Sequence, residues 1–272
     1  MNVPSGRMTA LALCMAMFAS REAAADEPAR GPAFKLSLDV DASLLLVSGG
    51  LASGFFLLDE VSAPRCAPLC DRKNINALDR GSAGNYSPTW GKVGDVAVAA
   101  TMLAGPASLL IAEGLGAGLN DSLVAGEAAL VTSALQVTIS YATQRPRPRV
   151  YGTRAPEDER NDANAGRSFF SGHVANGVAV TLATTRAFMR LDRPALAWTM
   201  FGIGMAGSTL IGVSRIQAGS HFPTDVVIGG LVGAGVGLAI PALHAPGRRL
   251  PNVQAVPIVT DSGAFLSVSG LL

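Results

Sequence analysis

Three histidines occur in the 272-residue sequence, and two of them sit among the small residues and arginines that phosphate chemistry uses. His221 lies in Ser214-Arg215-Ile216-Gln217-Ala218-Gly219-Ser220-His221-Phe222-Pro223-Thr224-Asp225. Pro223 suits the first turn of a helix, so the spacing lets His221 and Asp225 meet across one turn. A carboxylate on one imidazole nitrogen fixes the tautomer and leaves the other lone pair free, as a nucleophilic histidine requires. Taken alone, such a pair more often serves as a helix cap. His173 follows Ser171 and Gly172, and a Ser-Gly helix start presents backbone N–H groups to an anion. In Gln144-Arg145-Pro146-Arg147-Pro148-Arg149 two prolines keep the backbone extended and space three guanidinium forks along a loop. Its bland reading is a solvated loop, since Glu157, Asp158, Glu159 and Asp162 nearly balance the arginines from Arg145 to Arg167.

In this order the three stretches resemble the type 2 phosphatidic acid phosphatase family, whose pattern is K-x6-R-P, then P-S-G-H, then S-R-x5-H-x3-D. Class A bacterial acid phosphatases and vanadium haloperoxidases share it. Ser214, Arg215, His221 and Asp225 fill every fixed position of the third motif, and the resemblance spans residues 93–243. It implies an all-helical core with Arg147, Ser171, Gly172, His173 and Arg215 around a phosphate. It further implies His221 as nucleophile, Asp225 as its partner, His173 as the acid that protonates the leaving alkoxide, and neither metal nor other cofactor. Two positions depart from the pattern. Phe170 replaces the proline before Ser171, and Ser140 replaces the lysine seven residues before Arg147. No lysine follows Lys92, which leaves Arg145 and Arg149 as the candidates to restore that charge.

The elements that must position these residues are apolar. The chain is 49% hydrophobic and 15% charged with a net charge of +1, and its mean hydropathy is +0.36. That balance excludes a disordered or collagen-like chain and offers no field for nucleic acid. Arg7, the apolar stretch Met8 to Ala19 and Ala23-Ala24-Ala25 read as a secretory signal over residues 1–25. Residues 26–92 are then expected to hold a strand, a first hydrophobic helix and a loop with Cys66 and Cys70. Residues 93–243 form the phosphatase core and 244–272 a tail. The two cysteines suit a local disulfide in an exported chain, with two unrelated thiols as the alternative.

Six runs have few or no charges: Ala42 to Leu58, Val96 to Ala112, Ala128 to Gln144, Ser168 to Thr185, Pro194 to Ser214 and Val226 to Leu243. The expected fold class is therefore all-α, a multi-helix membrane bundle with short β-like segments at its two ends; a soluble helical bundle is the alternative. Gly229, Gly233 and Gly237 lay a smooth strip on one helix face. Phe34, Leu36, Leu38 and Val40 alternate like a strand, and Val256, Ile258, Leu266 and Val268 like a hairpin around Asp261-Ser262-Gly263. Arg186, Arg190, Arg193, Arg248 and Arg249 point to the cytoplasm, so Arg147 and His221 face the periplasm. Six full spans after a cleaved signal would point those loops inward instead. Either the first run does not cross, or the signal is retained or misread, or the protein is soluble and periplasmic. The expected substrate is a phosphorylated lipid at the membrane, such as phosphatidate, phosphatidylglycerol phosphate, undecaprenyl pyrophosphate or lipid A. A vanadate-dependent haloperoxidase-like enzyme and a non-catalytic phosphate-binding membrane protein are the competing readings.

Overall fold

The computed structural model describes residues 31–57, 63–246, 253–260 and 263–270. The expected signal segment, Arg248, Arg249 and the Asp261-Ser262 turn lie outside the described residues. Among the described residues, five helices of 19 residues or more build the bundle: α1 (Leu38–Leu57), α2 (Pro88–Thr143), α3 (Gly172–Arg190), α4 (Pro194–Gln217) and α5 (Pro223–Leu243). Near the C-terminus β1 (Val253–Thr260) pairs antiparallel with β2 (Gly263–Gly270), with Ile258 opposite Phe265.

The second and third apolar runs are the two arms of α2, which folds back on itself at Gly114. Gly114 has φ 75°, a conformation a side chain would resist. Ser122 Oγ lies 3.3 Å from the Pro106 carbonyl oxygen, whereas sixteen residues of straight helix would put about 24 Å between them. A Cβ on Gly118 would meet the Leu109 carbonyl at 2.6 Å, so the arms touch from the first turn after the bend.

The expected N-terminal strand is not formed. Ala33 and Phe34 donate their backbone N–H groups to the buried Asp121 carboxylate at 2.9 and 3.2 Å, and α1 starts already at Leu38. Ser37 and Asp41 cap that start reciprocally, each backbone N–H bonding the other residue's oxygen at 2.8 Å. A cap followed by an unbroken apolar run outweighs a four-position alternation.

α3 is the central element, with most of its residues buried against α2, α4 and α5. The glycine strip of α5 lies on the carbonyls of this helix and its N-cap. A Cβ at Gly229, Gly233 or Gly237 would meet the oxygen of Ser171, Ala175 or Ala179 at 2.6, 2.2 or 2.5 Å. The four-residue spacing on both sides sets the register that brings Asp225 beside Ser171.

α2, α4 and α5 are long and apolar enough to cross a membrane. Their outward residues include Val96, Leu103, Ile111, Leu119, Ile203, Leu210, Val227 and Leu231, the surface that lipid favours and water does not. Length, composition and outward apolar surface together suit a membrane bundle. Glu113 and Glu127, costly in lipid, are turned inward, Glu113 pairing with Arg193 at 2.8 Å. Arg186 and Arg190 lie exposed at the end of α3 away from His173. Residues 32–37 reach that same end, where the Lys35 N–H donates to the His244 carbonyl at 2.9 Å.

Candidate functional site

The loop between α4 and α5 turns at Gly219, whose φ of 72° and contact with the Asn85 carbonyl exclude a side chain. The turn delivers His221, 4% exposed, beside the arginine loop, whose Arg149 N–H donates to the Gly219 carbonyl at 3.2 Å. The His221 Nδ1 lies 2.6 Å from the Ser168 backbone oxygen. A carbonyl only accepts, so Nδ1 carries the proton and Nε2 keeps its lone pair. Burial first, then the charge of Arg147, push this imidazole well below its ordinary value.

Here the structure corrects the expected partnership, because Asp225 does not hold the His221 ring. Asp225 accepts from Ser168 Oγ at 2.5 Å, from the Phe222 backbone N–H at 2.8 Å and from Arg145 Nη1. It fixes the residue whose carbonyl fixes His221, one step removed. The start of α5 explains why: with Phe222 at the N-cap, Asp225 is the third helical residue and its carboxylate turns back to the cap.

Arg145 is likewise not free to replace the missing lysine. Nη1 meets Asp225 and Thr224 Oγ1, Nη2 meets Asp79 Oδ2 at 2.6 Å, and the guanidinium stacks 4.5 Å over Phe222. Asp79, fully buried, also accepts from the Thr224 backbone at 3.0 Å. Burial alone would raise its carboxyl, but the bonds from Thr224, Arg145 and Asn76 outweigh that and hold it below the usual range. Ser140 is 2% exposed and its hydroxyl donates back to the Val137 carbonyl at 2.8 Å.

Arg147, Arg149, Arg167 and Arg215 crowd together, close enough for the other three to repel the charge on Arg147. Each has a buried Nε without a hydrogen-bond partner, and so does the Ser171 hydroxyl. Gly172 opens α3 beside Gln136, whose side chain leaves no room for a Cβ. His173 follows in the first turn, with Nε2 3.7 Å from Asp95 Oδ1. Asp95 also receives Arg215 Nη2 at 2.5 Å. That guanidinium fits only because position 94 is glycine, where a Cβ would lie 2.8 Å from Nη2. The structure thus brings Arg147, Ser171, Gly172, His173, Arg215 and His221 to one end of the bundle. Arg149 joins them through Arg147, and Arg145 and Asp225 stand behind.

Four residues that shape the site escape motif reasoning: Asp79, Asp95, Arg167 and Ser168. Asp95 carries no motif and simply precedes the apolar run that starts at Val96. Arg167 was visible only as part of a charge balance, yet it sits against Tyr141, 5.0 Å over the ring, with Nη1 3.0 Å from the phenol. Cys66 and Cys70 are disulfide-bonded, and the Cys70 N–H donates to Val150 at 2.9 Å, which ties this loop to the arginine loop.

No curated protein matches the chain. Among solved structures it is similar to the first transmembrane PAP2 type phosphatidylglycerolphosphate phosphatase from Bacillus subtilis, with a TM-score of 0.45 and 18% identity over 79% of this chain and 100% of that one. The family model of the PAP2 superfamily matches residues 122–249. That span holds Arg147, Ser171-Gly172-His173 and the whole of Ser214 to Asp225, and over it the chain is similar to the PAP2 superfamily.

Proposed function

We propose that the chain is a membrane phosphatase that hydrolyses a lipid or isoprenoid phosphate through phosphohistidine at His221. One observation carries this reading: four clustered arginine Nε groups and the Ser171 hydroxyl are buried without partners, and two of those arginines, Arg147 and Arg215, act on a histidine whose Nε2 lone pair is free. Buried donors left unsatisfied are costly, and a tetrahedral oxyanion satisfies several at once. His221 Nε2 attacks phosphorus while the bond to the leaving oxygen breaks, and protonated His173 gives its proton to that alkoxide. Arg147, Arg215 and the Gly172 N–H hold the equatorial oxygens, whose charge spreads in the transition state. Water then attacks phosphorus, neutral His173 takes a proton from it, and the P–N bond breaks to free His221 and phosphate. Burial and the charge of Arg215 hold His173 down to about 4, and Asp95 beside it opposes them in favour of the proton the first step consumes.

The lipid part of the proposal rests on a groove of about 260 Å³ between the first arm of α2 and α4, lined by Ala97, Thr101, Ala104, Met200, Ile203 and Leu210. It begins within a turn of Asp95, so an acyl or prenyl chain in it leads its phosphate to the arginines. By the positive-inside rule the end with Arg186, Arg190 and Arg193 is cytoplasmic and the arginine cluster periplasmic. The test is quenching purified protein that is turning over a 32P-labelled lipid phosphate in alkaline SDS, followed by base hydrolysis and amino-acid analysis. Base-stable, acid-labile label on wild type and none on His221→Ala is the expected result. Turnover without label, or normal turnover in His221→Ala, refutes the mechanism.

A further inference from the structure

At the end of the bundle opposite the arginine cluster, three ionisable side chains from three elements converge. Asp41 comes from the first turn of α1, Glu127 from the second arm of α2, and His244 from the residue after α5. The mechanism above uses none of them.

His244 Nδ1 lies 2.9 Å from the Ile240 backbone oxygen, so Nδ1 donates there. Nε2 faces Asp41 Oδ1 at 2.7 Å and Glu127 Oε2 at 3.2 Å. In a neutral ring that nitrogen carries a lone pair pointed at two carboxylate oxygens, an arrangement that needs a positive charge at its centre. A proton on Nε2 meets the need only in part. A single N–H serves Asp41, and Glu127 Oε2 is left sealed from water without a hydrogen bond, on a side chain that is 6% exposed. Two carboxylates and one imidazolium also leave a net negative charge in the interior, and among the described residues no lysine or arginine pairs with either acid.

A divalent cation removes both deficits. The three ligand atoms all lie within 4.8 Å of one another, a set one ion spans at the usual ~2.0–2.2 Å from nitrogen and oxygen. The bond from Nδ1–H to a backbone carbonyl is the outer contact that orients a metal-ligating histidine and fixes its tautomer. One imidazole nitrogen with two carboxylate oxygens suits a first-row transition ion such as Zn²⁺, whereas Mg²⁺ and Ca²⁺ prefer all-oxygen sets.

The geometry points to a binding site for one first-row divalent metal ion formed by Asp41, Glu127 and His244. The ion ties α1, the second arm of α2 and the end of α5 together at the face away from the phosphate cradle. It takes no part in phosphoryl transfer, and the site stands whether or not the phosphatase reading holds.

The experiment uses the full chain purified in detergent, with an affinity tag free of histidine and no chelator. Metal content is measured by mass spectrometry, and the EDTA-stripped protein is titrated with Zn²⁺, Mg²⁺ and, as an absorbing probe, Co²⁺, with thermal unfolding as a second readout. About one transition ion per chain is expected, with a melting point that falls on stripping and returns with Zn²⁺ but not Mg²⁺. Loss of an outer partner costs roughly 10–100-fold in affinity, so loss of a ligand in Glu127→Gln or His244→Gln should cost at least ~100-fold. His221→Ala, at the other end, should bind metal like wild type. Stripped wild type that responds to neither Zn²⁺ nor Co²⁺ overturns the proposal in favour of a proton-bridged cluster, even if the ligand variants fail to fold. Undiminished affinity in Glu127→Gln or His244→Gln overturns it as well.

Discussion

Replacing Gly233 with alanine tests how the bundle sets the site, because the added methyl meets Ala175 and none of the candidate site residues. An alanine Cβ would lie 2.2 Å from the Ala175 oxygen and 2.9 Å from its Cα and carbonyl carbon. Ordinary C···O contacts in helix pairs are about 3.3–3.6 Å, so α5 must retreat from α3 by roughly 1 Å. That movement separates Asp225 from Ser168 and shifts the His221 loop against the start of α3. A misplacement of this size costs about 10²-fold in rate, or ~2.7 kcal/mol of transition-state stabilisation. Overpacking adds about 1–3 kcal/mol of destabilisation, which for a chain of this length lowers the melting point by on the order of 5 °C. Gly235→Ala is the control, since that position meets nothing within 4 Å and gains up to ~1 kcal/mol of helix propensity. The assay is kcat/KM for phosphate release in detergent micelles beside thermal unfolding of each variant. Gly233→Ala indistinguishable from Gly235→Ala in both measurements would refute the claim that the glycine strip holds the catalytic register.

Further outcomes follow from the same contacts. Because His221 is held well below its ordinary value, its nucleophilic form persists into acid, and the acid limb it sets in kcat/KM lies well below pH 6.5; a limb at or above 6.5 that survives His173→Gln contradicts this. The unfolded chain takes up that proton below about 6.5 while the folded chain does not. Stability from this group is therefore full above that pH and lost as pH falls toward the folded value, which urea titrations at pH 5 and 7.5 will show. Arg145→Ala strands two fully buried carboxylates, Asp79 and Asp225, and should cost about 3 kcal/mol in unfolding measurements even where vanadate still binds. Arg167→Ala should weaken orthovanadate inhibition about tenfold, as loss of one charge-assisted contact, while Ser140→Lys should destabilise rather than restore binding because its site is filled; tighter inhibition by Ser140→Lys would show a vacant lysine position.

The motifs were legible where chemistry is local in sequence. Ser214 to Asp225 places its residues on the end of one helix, one turn and the start of the next, and spacing alone brings them together. The glycine strip was legible for the same reason, since a four-residue repeat on a helix has a single geometric meaning. What spacing missed was every contact made by backbone or across long separations. The carbonyl of Ser168 has no signature in residue type, so the carboxylate four residues from His221 looked like its partner. Asp79 and Asp95 lie far upstream of Asp225 and Arg215, and nothing short of the folded bundle links them. The fold-back at Gly114 was half-visible as a gap between two apolar runs. The segment from Phe34 to Val40 misled because alternation over four positions is also what one buried coil and the first turn of a capped helix produce.

The bend at Gly114 also bears on where the functional unit begins. The span that carries the superfamily's pattern starts at residue 122, inside the second arm, while Gly94 and Asp95 stand on the first and Asp79 ahead of both. Excised alone, residues 122–249 would keep every motif position and lose the carboxylate that anchors Arg215, the glycine that admits it and the acid that anchors Arg145. The motif block is therefore not a transplantable module, and grafting it onto another membrane scaffold should yield an inert protein. A break placed at the bend is the opposite case, because the arms are close-packed beside it and can find each other in the bilayer. Co-expressing the two pieces divided there should reassemble a working whole, whereas dividing the chain at residue 122 to match the motif boundary should not.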